Sequence, residues 1–254
     1  MHKYIHINSG NTIHYLEFGK GEPLVLVPSL WVTSNSYTVL WRTLGKHFTV
    51  YIPDIFRGNS RFSKNATSID EYVNLLTEFI RRTKLKNYYL VGISLSGIVA
   101  TKYIFNGSHL PRKLFLASTT VLPLDIKNQR FSLFLGYLKL LYHNMFSIEG
   151  YANNWLWITD GLENLLKHSR QAWNEGLIAT SLEMEHITSM PIPTKLVFAL
   201  GDEFLPTEGA TRLAKVKNLD LEVVERHHAW FFRHEKDLVE KIVHFFNGNS
   251  ASTS

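Results

Sequence analysis

Ser94 stands in the run Gly92-Ile93-Ser94-Leu95-Ser96-Gly97, where a buried-looking apolar stretch from Tyr88 to Val91 hands over to residues with helical spacing. A serine hydroxyl is a poor nucleophile until a base takes its proton, and that base needs a carboxylate to orient it. Both arrive late in the chain. The run KLVFALG ends at Gly201 and is followed by Asp202 and Glu203; the run LEVVE leads into His227 and His228. A serine, an acid and a histidine at three strand ends could carry nucleophilic acyl transfer. An ordinary serine in a tight turn, solvated loop carboxylates and packed histidines would use the same residue types. A zinc site on His227, His228 and His234 is the weaker chemistry. Adjacent residues diverge, and neither a thiolate nor a helical i,i+4 pair supports it, so no metal is expected.

The elements that must hold these groups alternate between strand and helix. KYIHIN and TIHYLEFG flank the turn residues Ser9-Gly10-Asn11 and predict a hairpin. PLVLVP and FTVYIPD read as short strands with helical character between them, over 37–46. Ser68 to Thr83 reads as an amphipathic helix. Ser68 and Glu71 have capping-box spacing, and Tyr72, Leu75, Leu76, Phe79 and Ile80 form one stripe. Strands separated by helices imply α/β architecture, a mostly parallel doubly wound sheet covered on both faces. The alternation lapses over 121–190, a helical and aromatic stretch that ends at MPIPT. The expected domains are therefore a core of 1–120 and 191–254 with a helical cap inserted at 121–190.

A chain of 254 residues, 45% hydrophobic and 19% charged, suits one substantial folded domain. The net charge is +5, but the cations are scattered. Arg81, Arg82, Lys84 and Lys86 sit at the end of a predicted helix, where they suit its dipole, so no nucleic-acid partner is expected. The absence of cysteine rules out disulfides, thiolate metal sites and a cysteine nucleophile. The start MHKYIHINSG has no apolar core of a signal peptide, and no run of about 18 apolar residues suggests a membrane span. A cytoplasmic protein without cofactor is expected, with oligomeric state left open.

The serine stretch resembles the nucleophile elbow of the α/β-hydrolase family. There a sharp strand–turn–helix needs small neighbours, and the order is serine, acid, histidine. The departure is Ser96 where the family pattern G-x-S-x-G has its second glycine. The resemblance implies Ser94 as nucleophile and Asp202 as acid, since Asp202 with Pro206 fits D-x-x-x-P. Glu203 is the alternative because the loop after Gly201 is short. His228 followed by Ala229 fits the family's histidine better than His227, which would point away, and Glu203 would face solvent. The backbone N–H groups of Leu30 and Leu95 would form the oxyanion hole, although Pro28-Ser29-Leu30 replaces the usual His-Gly. PDIFRGNSRFS is similar to a structural D-x-x-G-x-G-x-S loop. In all, the resemblance covers residues 12–120 and 191–246.

The implied chemistry is hydrolysis of a small-molecule carboxylic ester or thioester with an apolar acyl group, through an acyl-enzyme. C–C bond hydrolysis, acyl transfer to an alcohol and a slow receptor-like binding protein are the alternatives on the same scaffold. Candidate pocket residues are Trp31, Phe134, Tyr137, Trp155, Trp157 and Trp230. The competing expectation is that these aromatics only pack the cap against the core.

Overall fold

The computed structural model describes residues 1–8, 10–30, 32–107, 109–122, 139, 151–171, 174, 178 and 187–248, with backbone alone at 151–157 and 165. The strands are β1 (His2–Asn8), β2 (Asn11–Phe18), β3 (Glu22–Val27), β4 (Phe48–Pro53), β5 (Tyr89–Ile93), β6 (Lys113–Ala117), β7 (Ser189–Ala199) and β8 (Lys217–Val224). They form one sheet in the order β1-β2-β4-β3-β5-β6-β7-β8. The first two are an antiparallel hairpin, and β2 meets β4 antiparallel; every pairing from β4 across to β8 is parallel.

Alternation along the central strands explains why both faces are covered. Side chains of successive strand residues point to opposite faces. Thus Leu24, Leu26, Tyr89, Val91, Phe115 and Ala117 enter one core cluster, and Val25, Val27, Leu90, Leu114 and Leu116 enter the other. The first cluster is closed by α1 (Thr38–Leu44) and the C-terminal α6 (Glu235–Asn247). The second is closed by α2 (Ile69–Thr83) and α3 (Leu95–Asn106). Ser68 caps α2 by accepting from the Glu71 N–H at 3.3 Å. The Glu71 carboxylate reaches the Thr67 amide at 2.7 Å, one residue earlier than an ideal capping box would have it.

Between β6 and β7 lies the helix α4 (Tyr151–Lys167), and a short α5 (Glu208–Leu213) separates β7 from β8. Strand β7 begins at Ser189, two residues inside the expected insertion, because a register shift between Ser189 and Thr194 absorbs Pro191 and Pro193. Among the described residues, no helix is long and apolar enough to cross a membrane.

Candidate active site

In a parallel sheet the carboxyl ends of the strands share one edge, so loops leaving β3, β5, β7 and β8 converge there. Ser94 follows β5 directly, with φ 58° and ψ −130°. A side chain at positive φ in this region costs roughly 1–3 kcal/mol and persists only where the surroundings enforce it. Here the enforcement is steric and polar. A Cβ on Gly92 would lie 2.7 Å from the Gly97 Cα, and one on Gly97 would lie 2.5 Å from the Thr119 Cγ2. Both positions therefore exclude any side chain.

The departure at Ser96 also has a physical account. Its side chain is fully buried, and its hydroxyl accepts from the Ile93 N–H at 2.8 Å. The same oxygen lies 2.8 Å from the carbonyls of Val27 and Ile93, either of which can take its proton. Serine is thus small enough for the elbow and pins it to the end of β3.

The three candidate groups meet. Ser94 Oγ lies 2.8 Å from His228 Nε2, and His228 Nδ1 lies 2.7 Å from Asp202 Oδ2. The other oxygen of Asp202 accepts from the amides of Phe204 and Leu205 at 2.8 and 3.0 Å. That turn fixes the carboxylate, so Nδ1–H is the tautomer that faces it and Nε2 offers its lone pair to the serine. Phe204 stands edge-on to the imidazole with ring centroids 4.7 Å apart. The Ser118 hydroxyl, from a residue at φ 48°, donates to the His228 carbonyl at 2.7 Å.

Glu203 does not face solvent, as the sequence reading expected. Its side chain is 3% exposed, and Oε2 accepts from the backbone N–H of His228 at 2.9 Å. The cause is the short loop: the turn capped by Asp202 folds residue 203 back over the histidine's own backbone. His227 points outward, its ring 49% exposed and its Nδ1 3.2 Å from the Gly201 carbonyl. Burial of His228 disfavours its cationic form, but the charge and hydrogen bond of Asp202, with the charge of Glu203, outweigh it and raise its pKa above the ordinary histidine value.

Leu95 opens α3, so its N–H has no carbonyl one turn back to bond. Leu30 lies three residues past β3, whose Val27 pairs with Gly92 of β5, so both amides leave adjacent strands at one edge. Trp230 is a correction. It is 2% exposed and belongs to the core cluster under α1 and α6, where a 3₁₀ turn, Trp230–Phe232, stacks Phe231 on Tyr37. Trp31, Phe134 and Tyr137 lie outside the described residues. Trp155 and Trp157 fall within α4, but their side chains are also outside them. Among the described residues, no cluster could hold a metal ion.

Sequence reasoning missed Tyr37, Ser118 and Asp160. Their partners are Ser29, the His228 carbonyl and residues 33 and 36, and their own neighbours in sequence carry no motif.

Comparisons with known proteins agree on the scaffold. No curated protein matches this sequence. Among solved structures, an esterase from Exiguobacterium antarcticum is 19% identical with a TM-score of 0.79, covering 98% of this chain and 100% of its own. A bromoperoxidase from Bacillus anthracis is 18% identical with a TM-score of 0.72, covering 98% and 100%. A 2-hydroxy-6-oxo-6-phenylhexa-2,4-dienoate hydrolase from Rhodococcus sp. strain RHA1 is 14% identical with a TM-score of 0.77, covering 98% and 99%. At these identities the likeness is one of fold. A profile described as the alpha/beta hydrolase family matches residues 24–241, most of the chain. With the parallel sheet and the serine elbow already in place, this chain belongs to the alpha/beta hydrolase family.

Proposed function

We propose that the protein is a serine hydrolase that cleaves a carboxylic ester or thioester with an apolar acyl group. The observation that carries this reading is the unbroken chain from Ser94 Oγ through His228 to Asp202, at 2.8 and 2.7 Å. In the first half-reaction Ser94 Oγ attacks the acyl carbon while His228 Nε2 takes its proton. Asp202 stabilises the imidazolium so formed. The N–H groups of Leu30 and Leu95 hold the oxyanion, where preorganised donors have their largest effect. The imidazolium then protonates the leaving alkoxide or thiolate, and the acyl–Ser94 ester remains. Water, deprotonated by His228, attacks that ester, and the imidazolium returns the proton to Ser94 Oγ as the acyl–serine bond breaks and the acid is released. The segment inserted between β6 and β7 is expected to set the preference for the acyl group.

A series of p-nitrophenyl esters of rising chain length tests the reading. Each methylene taken into an apolar pocket contributes up to ~0.8 kcal/mol, or about fourfold, so kcat/KM is expected to climb severalfold per carbon until the pocket is full. Folded protein that turns over none of them would sink the ester assignment.

The acid limb of the pH profile carries a second expectation. His228 works as a base only when neutral, so a raised pKa delays activity to higher pH. Glu203 contributes to that rise, so Glu203→Gln should shift the midpoint of kcat/KM downward, with the Gln oxygen still able to accept from the His228 amide. An unmoved midpoint would remove Glu203 from the electrostatics of the site.

A further inference from the structure

The loop that carries Leu30 is held from the inserted segment. Asp160, on α4, accepts three hydrogen bonds from residues 33–36. Oδ2 takes the Thr33 N–H at 2.7 Å and the Ser36 hydroxyl at 2.5 Å, and Oδ1 takes the Thr33 hydroxyl at 2.7 Å. Thr33 and Ser36 are buried, so leaving these donors unpaired is costly. Thr33 Oγ1 also accepts from the Asn35 N–H at 3.2 Å, which caps the 3₁₀ turn Ser34–Tyr37. That turn delivers the buried Tyr37, whose hydroxyl accepts from the Ser29 N–H at 2.9 Å, directly before Leu30. The Ser34 N–H is separately fixed to Asp54 Oδ1 at 2.8 Å.

The order of contacts therefore runs from Asp160 to the 3₁₀ turn, from the turn to Tyr37, and from Tyr37 to the peptide unit beside Leu30. We infer that Asp160 is a positioning residue for the oxyanion hole: the inserted segment sets where the Leu30 amide points. This rests on the hydrolase reading above and on Leu30 as an oxyanion donor.

The geometry separates this role from general packing. Oδ2 takes a backbone N–H and a hydroxyl, and Oδ1 takes a hydroxyl, so Asp160→Ala removes every acceptor of the contact at once. Thr33→Val, combined with Ser36→Ala, removes the two hydroxyl donors from the other side of the contact. Neither variant touches Ser94, His228 or Asp202.

The test compares these variants with the wild-type protein, on p-nitrophenyl butyrate and on a trifluoromethyl ketone of matched chain length. The ketone forms a tetrahedral adduct whose oxyanion reads the hole directly. Misplacing a catalytic donor by about 1 Å can cost as much as 10²-fold. The expected result is a fall in kcat of tenfold or more with KM changed less than about threefold. Ketone affinity should fall by the same factor as kcat/KM, and the pH midpoint set by His228 should stay in place. Asp160→Glu should recover part of the loss. The inference is overturned if folded variants of both kinds keep kcat and ketone affinity within twofold of wild type. It is also overturned if the pH midpoint moves with kcat, since that would locate the damage at the histidine. Wild-type protein that fails on the ester and the ketone alike would instead overturn the hydrolase reading on which the inference stands.

Discussion

Ser94→Ala should lower ester turnover by roughly 10³-fold or more while leaving the fold intact. The two halves of this expectation have separate causes. Activity is lost because, among the described residues, no other hydroxyl is shown within reach of His228 Nε2, and water lacks the elbow's fixed approach. Stability is kept because the Ser94 side chain makes no cap hydrogen bond to α3, although its residue is the N-cap. Alanine at φ 58° is as strained as serine, so the backbone cost is the same in both proteins. Steady-state rates on the ester series, read beside thermal melts, check both halves. A variant with near-wild-type turnover would remove the whole triad argument, and mass spectrometry for an acyl adduct on the wild-type protein would show where the chemistry then lies.

The second large effect is expected at the acid. Asp202→Asn should reduce kcat by about 10⁴-fold, through the tautomer rather than through the fold. The amide oxygen can remain at the position of Oδ1 and keep the amides of Phe204 and Leu205. Its NH₂ then faces His228 Nδ1 and donates to it. The imidazole proton moves to Nε2, which meets Ser94 with an N–H instead of a lone pair. A Glu203→Gln protein makes the control, since its carboxylate contacts the His228 backbone and not the ring's Nδ1. If Glu203→Gln were the dead enzyme and Asp202→Asn the active one, the acid would have moved by one residue along the short loop.

What could be read from the sequence follows the range of the forces involved. The elbow is local: the small neighbours at 92, 96 and 97 are needed by contacts within a few residues, so their types are visible in six letters. Strands β3, β5, β6 and the end of β7 from Leu196 to Ala199 are legible because each is buried on both faces and reads as a largely continuous apolar run. The loops bearing Asp202 and His228 could be located because they follow such runs. Glu203 was misread because a charged residue in a loop suggests solvent. Only the fold reveals that the turn at Asp202 brings its carboxylate onto a backbone N–H 25 residues away in sequence. Trp230 was misread for the converse reason. An aromatic next to the histidine suggests a pocket wall, yet α1 and α6 offer it an apolar slot. Asp160 was not singled out at all, because its partners lie 124 and 127 residues earlier.

The contact between Asp160 and residues 33 and 36 limits how this enzyme could be recombined. Segments inserted between β6 and β7 look like exchangeable parts, since they enter from the end of β6 and leave at the start of β7. A donor segment without an acid at the position of Asp160 would leave the three donors of Thr33 and Ser36 without that acceptor, at about 1–3 kcal/mol for each group left unsatisfied. Residues 33, 36 and 160 therefore form one inheritable unit split across two stretches of the gene. A chimera with a foreign insertion would need Thr33 and Ser36 rewritten to suit it, and chimeras that carry both stretches from one parent should fold more often than those that mix them.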